Sequence, residues 1–216
     1  MNVAVVLFDL DGTLSDSAAG IVSSCRHALG ELGFEVDEAA VRSWIGLGLH
    51  EVMGVLGVPE GQLDRAVATY RRYYSSQGVY GCQLFDGIPA MLSALKEGGI
   101  TLGVATAKAE PLAKEVLRYL GIAPYFDVVV GAALDATNVS KGDIVACAIG
   151  RLGGPSPQTV VMAGDRSYDI VGAIENGAHP VGVAWGYGTV EELVGAGAEL
   201  VARDPVELAG LLVTGP

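Results

Sequence analysis

Two aspartates, Asp9 and Asp11, directly follow an apolar run over residues 3–8. The run is short and rich in Val, which indicates a buried strand, so both acids would lie at the end of that strand. Because like charges raise one another's pKa, two carboxylates so close together are costly unless a cation binds them. The pair therefore predicts a metal site, although Asp, Gly and Thr also suit an ordinary capped turn.

A second acidic pair, Asp165 and Asp169, follows another apolar run over residues 159–163. The spacing of this pair corresponds to one helical turn, so both acids can face the sheet edge from which Asp9 and Asp11 emerge. Alone, the second pair would equally suit a helix N-terminus, where acids complement the helix dipole. Together, the two pairs predict converging carboxylates.

Thr106 and Lys141 are the other candidates for chemistry. Thr106 closes the apolar run over residues 101–105, and Lys141 opens a helical pattern that leads towards Asp165. A hydroxyl and backbone amides at a strand-to-helix turn can hold phosphate oxygens, and an ammonium supplies positive charge where negative charge grows. Either residue alone is more often a helix cap or a solvated side chain.

The elements that must position these residues form a regular alternation. Short apolar runs predict buried parallel strands at residues 3–8, 101–105, 128–130, 159–163 and 180–183. Helical patterns lie between them, at residues 88–96, 111–119, 141–151 and 168–176. This alternation predicts right-handed crossovers and an α/β fold with a doubly wound, Rossmann-like parallel sheet.

One interval breaks the alternation. Residues 15–82 contain no comparable strand and indicate several amphipathic helices, punctuated by Gly33, Gly46 and Gly48. We therefore expect a discontinuous core domain, residues 1–14 and 83–216, with a helical cap domain inserted at residues 15–82. Because the insertion follows the turn after the first strand, it would project from the carboxyl edge of the sheet and cover the site.

Charge and composition narrow the possible partners. The 216 residues carry a formal net charge of −12, which disfavours nucleic acid and anionic membranes as partners. The cysteines, Cys25, Cys82 and Cys147, have neither disulfide nor zinc spacing. Residues 1–8 lack the basic start of a signal peptide, and no membrane span is expected, so we expect a cytoplasmic protein acting on a small molecule.

These motifs, in this order, resemble the haloacid dehalogenase-like (HAD) superfamily over nearly the whole chain. The resemblance is closest to the phosphoglycolate phosphatase and 5′-nucleotidase-like branch, with its helical cap. Further segments support that branch less specifically, namely Tyr70-Arg71-Arg72-Tyr73-Tyr74, Phe85-Asp86-Gly87-Ile88, Tyr125-Phe126-Asp127 and Trp185-Gly186-Tyr187-Gly188. The implied activity is Mg²⁺-dependent hydrolysis of a small phosphomonoester.

The resemblance implies a role for each motif residue. Asp9 would be the nucleophile that forms an aspartyl-phosphate, and Asp11 would be the general acid and base. Magnesium would be held by the Asp9 carboxylate, the Asp11 main-chain carbonyl and Asp165, with Asp169 in support. The remaining residues would bind substrate, namely Thr106 and Lys141 at the phosphoryl group, Ala107 beside it, and Arg71 from the cap.

Several alternatives stay open at this stage. A sugar-phosphate mutase of the β-phosphoglucomutase type would use the same core, and a regulatory binding module could have kept the fold without turnover.

Ala107, Gly142 and Ala136 depart from the commoner family pattern beside the pocket. The sequence identifies neither the substrate nor the oligomeric state, monomer or homodimer. The histidines, His27, His50 and His179, have no ligand spacing.

Overall fold

A computed structural model describes residues 2–134 and 139–214 of the chain. The strands, in chain order, are β1 (Val5–Phe8), β2 (Ser15–Asp16), β3 (Gln83–Leu84), β4 (Thr101–Ala109), β5 (Val128–Ala132), β6 (Val160–Gly164), β7 (His179–Val183) and β8 (Leu200–Ala202). Six of them form a parallel sheet in the order β5-β4-β1-β6-β7-β8. The predicted α/β class with a doubly wound parallel sheet is therefore confirmed.

Strand β1 occupies the centre of the sheet because every one of its residues is apolar and buried. Its Val5 is in register with Thr101 of β4 on one side and with Val160 of β6 on the other. The chain continues outward from β4 on one side of β1 and from β6 on the other. Ligands of open α/β sheets bind at such a reversal of strand order, outside the carboxyl ends of the strands.

Helices cover both faces of this sheet. They are α5 (Ile88–Glu97), α6 (Glu110–Tyr119), α7 (Lys141–Arg151), α8 (Ser167–Glu175), α9 (Val190–Gly195) and α10 (Pro205–Thr214), and α1–α4 precede them in the chain. Alternate residues of β1 enter different apolar clusters, Val6 and Phe8 in one, Val5 and Leu7 in the other. A strand that is buried on both faces has a continuous apolar sequence, which is why β1 could be predicted from the sequence.

The segment between β2 and β3 is helical. It contains α1 (Ala18–Gly30), α2 (Glu38–Ser43), α3 (Leu49–Val55) and α4 (Leu63–Ser76), and β2 pairs with β3 in an antiparallel two-stranded sheet. These two short strands were not predicted, and they join the chain where the helical segment leaves and returns. The domain limits at residues 15 and 82 stay a prediction.

None of the helices in the described part combines the length and apolar character that a membrane crossing requires.

Two further differences separate the structure from the sequence prediction. Strand β4 runs to Ala109 rather than ending at residue 105, and its pairing with β5 shifts register between Thr106 and Ala109. Strand β8 and helices α9 and α10 were not predicted. Strand β8 has three residues, Leu200–Ala202, which is too short for a periodic pattern to identify.

Candidate active site

Three aspartates converge at the carboxyl edge of the sheet. Asp9 directly follows β1, Asp165 directly follows β6, and Asp169 lies in the first turn of α8. All three are buried, and one carboxylate oxygen from each lies within 4.8 Å of the others. Among the residues that the structure describes, no histidine or cysteine joins this group. We call these three residues the acidic cluster.

The acidic cluster concentrates negative charge away from water. Burial raises the pKa of Asp165 to about 8, and the charges of Asp169 and Asp9 add to the effect. Burial also raises the pKa of Asp9 to about 6, although Lys141 opposes the rise. Carboxylate oxygens are the donors that hard divalent cations prefer, and such a cation would relieve this repulsion. The donor set therefore fits an ion of the Mg²⁺ type.

Lys141 is the cation that the fold itself supplies to the acidic cluster. Its ammonium Nζ lies 2.6 Å from Asp9 Oδ1 and 2.8 Å from Asp169 Oδ1. Burial works against the charged form, but the two carboxylates raise the pKa of Lys141 above its ordinary value. A capping box between Ser140 and Asp143 begins α7 directly before Lys141 and so sets its position.

The carboxylate of Asp165 is oriented by groups from two other loops. Thr13 Oγ1 donates a hydrogen bond of 2.9 Å to Oδ1, and the backbone N–H of Tyr187 donates one of 2.9 Å to Oδ2. Gly12, with φ of 96°, and Gly186 leave no room for a Cβ against this carboxylate. The sequence analysis assigned no role to Thr13, which lies two positions after Asp11, or to Tyr187, which lies within the segment Trp185-Gly186-Tyr187-Gly188.

Asp11 does not join the acidic cluster but pairs with a lysine that sequence reasoning overlooked. Lys108 Nζ lies 2.9 Å from Asp11 Oδ2, and both side chains are largely buried. The same Nζ lies 4.2 Å from the ring centroid of Tyr74, which is a cation–π contact with α4. Asp11 Oδ1 has no hydrogen-bond partner within the described residues. The sequence feature that could have identified Lys108 is its position two residues after Thr106 in the same strand, β4.

A cleft opens beside these residues, between the sheet edge and the helical segment. Of the predicted site residues, Asp9, Asp11, Thr106, Ala107 and Arg71 line it. Lys141, Asp165 and Asp169 do not line it, although all three lie close to Asp9, which does. Thr106 is buried, and its Oγ1 accepts a hydrogen bond of 3.2 Å from the N–H of Lys108.

Arg71 reaches from α4 to the far side of the cleft. Its Nη1 donates a hydrogen bond of 2.6 Å to the carbonyl of Leu134, and its buried Nε has no partner within residues 2–134 and 139–214.

Gly142 departs from the family pattern, and its lack of a side chain has a structural reason. A Cβ at this position would overlap the carboxylate of Glu175. Ala136, another such departure, lies outside the described residues.

Arg166 connects the loop of Asp165 to the helical segment. Its Nη1 donates hydrogen bonds to the carbonyls of Ile45, at 2.6 Å, and Ser43, at 3.1 Å. Its Nε lies 3.1 Å from Glu192 Oε1, which also accepts from the N–H of Ser167. The backbone N–H of Arg166 donates to Asp169 Oδ2 at 3.0 Å. One residue thus contacts both the acidic cluster and the wall of the cleft.

Comparison with known proteins identifies similar chains of this architecture. A family model described as haloacid dehalogenase-like hydrolase matches residues 6–183. The tyrosine-protein kinase PtkA of Mycobacterium tuberculosis is 45% identical over 188 residues, 87% of this chain; the match spans 64% of PtkA, less than two thirds of its length. A 5′-nucleotidase of Pseudomonas aeruginosa is 37% identical over 190 residues, 87% of this chain and 86% of that protein.

The fold is shared with solved structures along its whole length. A crystal structure described as a predicted phosphatase from Clostridium acetobutylicum superposes with a TM-score of 0.92 at 35% identity, and 99% of each chain is covered. The similarity therefore includes the helical segment between β2 and β3 as well as the sheet.

Proposed function

Because the chain belongs to the haloacid dehalogenase-like hydrolase family, we propose that it is a metal-dependent phosphatase of a small phosphomonoester. The observation that carries this proposal is the acidic cluster, buried around Lys141 at the carboxyl edge of β1. Phosphatase and 5′-nucleotidase are among the names of its relatives, which supports hydrolysis of an ester.

The metal we propose is Mg²⁺. Asp9, Asp165 and the main-chain carbonyl of Asp11 would hold it, with Asp169 in support, since an all-oxygen set suits a hard octahedral ion. The bound ion would supply positive charge to the phosphoryl oxygens and to the attacking carboxylate. Lys141, which contacts Asp9 and Asp169, would hold both carboxylates in place and add its own charge.

In the first step, a carboxylate oxygen of Asp9 attacks phosphorus. A bond forms between that oxygen and phosphorus, the bond from phosphorus to the ester oxygen breaks, and an aspartyl-phosphate results. For this step Asp11 must carry a proton on Oδ1 while Oδ2 stays against Lys108, and it gives that proton to the departing oxygen, so the leaving group departs as a neutral alcohol. Thr106 Oγ1 and the neighbouring N–H of Ala107 would bind the phosphoryl oxygens.

In the second step, the carboxylate of Asp11 takes a proton from water. The water oxygen attacks phosphorus, the bond from phosphorus to Asp9 breaks, and inorganic phosphate leaves. Asp11 is then protonated again, so the cycle closes. Oδ1 of Asp11 is suited to this proton transfer, because Lys108 binds Oδ2 and Oδ1 has no partner among the described residues.

The helical segment would act as a lid. We propose that residues 15–82 form a separate cap domain whose wall of the cleft surrounds the leaving group. Trp44, Ile45, Leu49 and Arg71 lie on that wall. Exclusion of water from the cleft would strengthen the electrostatic contacts to the phosphoryl group.

The test is release of inorganic phosphate from p-nitrophenyl phosphate with Mg²⁺. We expect Asp9→Asn to lower kcat by roughly three orders of magnitude or more, since the nucleophile is lost. Asp86→Asn, which changes an exposed aspartate outside the cleft, is the matched control and should keep full activity. An Asp9→Asn protein that is folded and fully active would refute the mechanism.

The identity to PtkA favours a second candidate, transfer of a phosphoryl group from a nucleoside triphosphate to a tyrosine hydroxyl. The same active-site residues could serve it, with the tyrosine oxygen taking the place of water in the second step. Labelled ATP and a tyrosine-containing polypeptide would distinguish the two. Label on the polypeptide, without hydrolysis of p-nitrophenyl phosphate, would support the kinase; hydrolysis of p-nitrophenyl phosphate with no label on the polypeptide would support the phosphatase.

A further inference from the structure

The cleft has two chemically different ends. At the sheet edge it is ionic, with Asp9, Asp11 and Lys108. On the side of the helical segment it is mainly apolar. The apolar side chains there are Ile21, Val41, Trp44, Ile45, Leu47, Leu49, Val52 and Tyr70. A phosphoryl group at the ionic end would therefore direct its leaving group towards apolar walls.

Two of the basic side chains that line the cleft have acidic partners, and the third, Arg71, has only a neutral one among the described residues. Lys108 is paired with Asp11, and His50 Nε2 lies 3.1 Å from Asp64 Oδ1. Arg71 binds the carbonyl of Leu134 through Nη1, and burial lowers its pKa. A leaving group that carries its own carboxylate would lose hydration against the apolar walls and, among the described residues of the cleft, would find a single cation without an acidic partner, Arg71.

Trp44 is the feature that suggests what the apolar end binds. It directly follows α2 and lines the cleft, yet the residue is 37% exposed. Most large apolar side chains of the neighbouring helices are buried instead, as Val41 and Met53 are. An indole left open inside a cleft offers a flat surface on which a planar group can stack.

We propose that the substrate is a phosphomonoester whose leaving alcohol carries a planar apolar group, and that Trp44 is the residue that selects it. The inference rests on the proposed phosphatase function and specifies its substrate class. The gain in binding free energy comes from apolar surface of the indole and of the ligand, which is removed from water when the two stack. Small carboxylated esters such as 2-phosphoglycolate lack that surface.

The test compares two esters with the same kind of leaving oxygen, 2-phenylethyl phosphate and ethyl phosphate. Both release a primary alcohol, so intrinsic reactivity is matched and the phenyl ring is the variable. We expect kcat/KM to be at least about tenfold higher for 2-phenylethyl phosphate. Equal values, or a preference for ethyl phosphate or 2-phosphoglycolate, would overturn the proposal.

Trp44→Ala then tests the assigned residue. It should lower kcat/KM for 2-phenylethyl phosphate about tenfold more than it lowers the value for ethyl phosphate, so that the preference between the two esters is lost. Tyr119→Ala, which removes an aromatic side chain that is 47% exposed and outside the cleft, should change neither value. An equal loss on both esters in Trp44→Ala would refute the role of Trp44.

These outcomes are separable from failure of the proposed function. Phosphate release that disappears in Asp9→Asn establishes the phosphatase whichever ester is preferred. Absence of release from every ester would refute the phosphatase itself, and with it the substrate class.

Discussion

The charge of Asp11 is balanced by Lys108, a residue that no family motif identified. The two side chains are 10% and 6% exposed, so water can replace little of the contact that each charge makes with the other. Removing one member of a buried ion pair leaves the other charge uncompensated, which costs about 3–5 kcal/mol in other proteins. The same pair holds the proposed acid and base against the wall of the cleft, so its loss should affect activity as well as stability.

We expect Lys108→Met to lower the free energy of unfolding by about 3 kcal/mol, measured by chemical denaturation. Lys96→Met is the matched control, because Lys96 pairs with Asp127 on the surface and should cost less than about 1 kcal/mol. Adding Asp11→Asn to Lys108→Met should recover part of the loss, since the orphaned charge is then absent. Equal effects of the two lysine substitutions would contradict a special role for the buried pair.

At the scale of elements, contacts run in both directions between the sheet and the helical segment. Arg166, before α8, binds carbonyls at the end of α2, and Arg71, in α4, binds the carbonyl of Leu134 after β5. Gly46, with φ of 107°, lies against the Arg166 side chain, so the loop after α2 packs closely on it. These contacts hold the apolar wall of the cleft over the sheet edge.

Arg166→Ala should loosen that wall. Hydrogen bonds to charged groups contribute about 1.5–3 kcal/mol, so amides around residues 41–47 should exchange with solvent roughly tenfold or more faster. Hydrogen exchange followed by mass spectrometry measures this. Arg203→Ala, which removes an exposed partner of Glu207, should leave that region unchanged. Unaltered exchange around residues 41–47 in Arg166→Ala would contradict the contact's importance.

At the scale of the whole molecule, the acidic cluster links stability to pH. The folded-state pKa values of Asp9, about 6, and Asp165, about 8, lie above the ordinary value of 3.8. The folded protein therefore binds more protons than the unfolded chain between about pH 4 and pH 8, so its stability falls as pH rises through that window. The lowered pKa values, those of Glu110, Asp127, Glu192 and Glu207, act in the opposite direction and at lower pH.

We expect the Tm of the protein in a chelator to decrease from pH 5 to pH 8, and added Mg²⁺ to raise the Tm more at pH 8 than at pH 5. A cation competes with protons for the same carboxylates, so its stabilisation grows as the protons leave. Calorimetry at several pH values measures both effects. Asp165→Asn should flatten the upper part of the slope, and a Tm that rises between pH 5 and pH 8 in chelator would contradict the prediction.

The sequence by itself determined the α/β class, the buried character of β1 and the family. Strands buried on both faces are continuous apolar runs, and parallel strands bring their carboxyl ends to one edge, so Asp9 and Asp165 could be expected to meet. Helical patterns located Lys141 at the start of α7. The inferences about strands and helices need only local periodicity and the rule that parallel strands bring their carboxyl ends to one edge of the sheet. Short elements such as β2 and β8 carry too few residues to show a period.

Only the tertiary structure decided which side chains serve the acids. Thr13 and Asp165 are 152 positions apart, and neither Lys108 nor Arg166 follows a pattern that announces its partner. Such contacts depend on how loops approach one another across the sheet edge, to within the length of a hydrogen bond. The same holds for the cleft, because Trp44 and Asp11 share it through the packing of separate elements and not through their spacing in the chain.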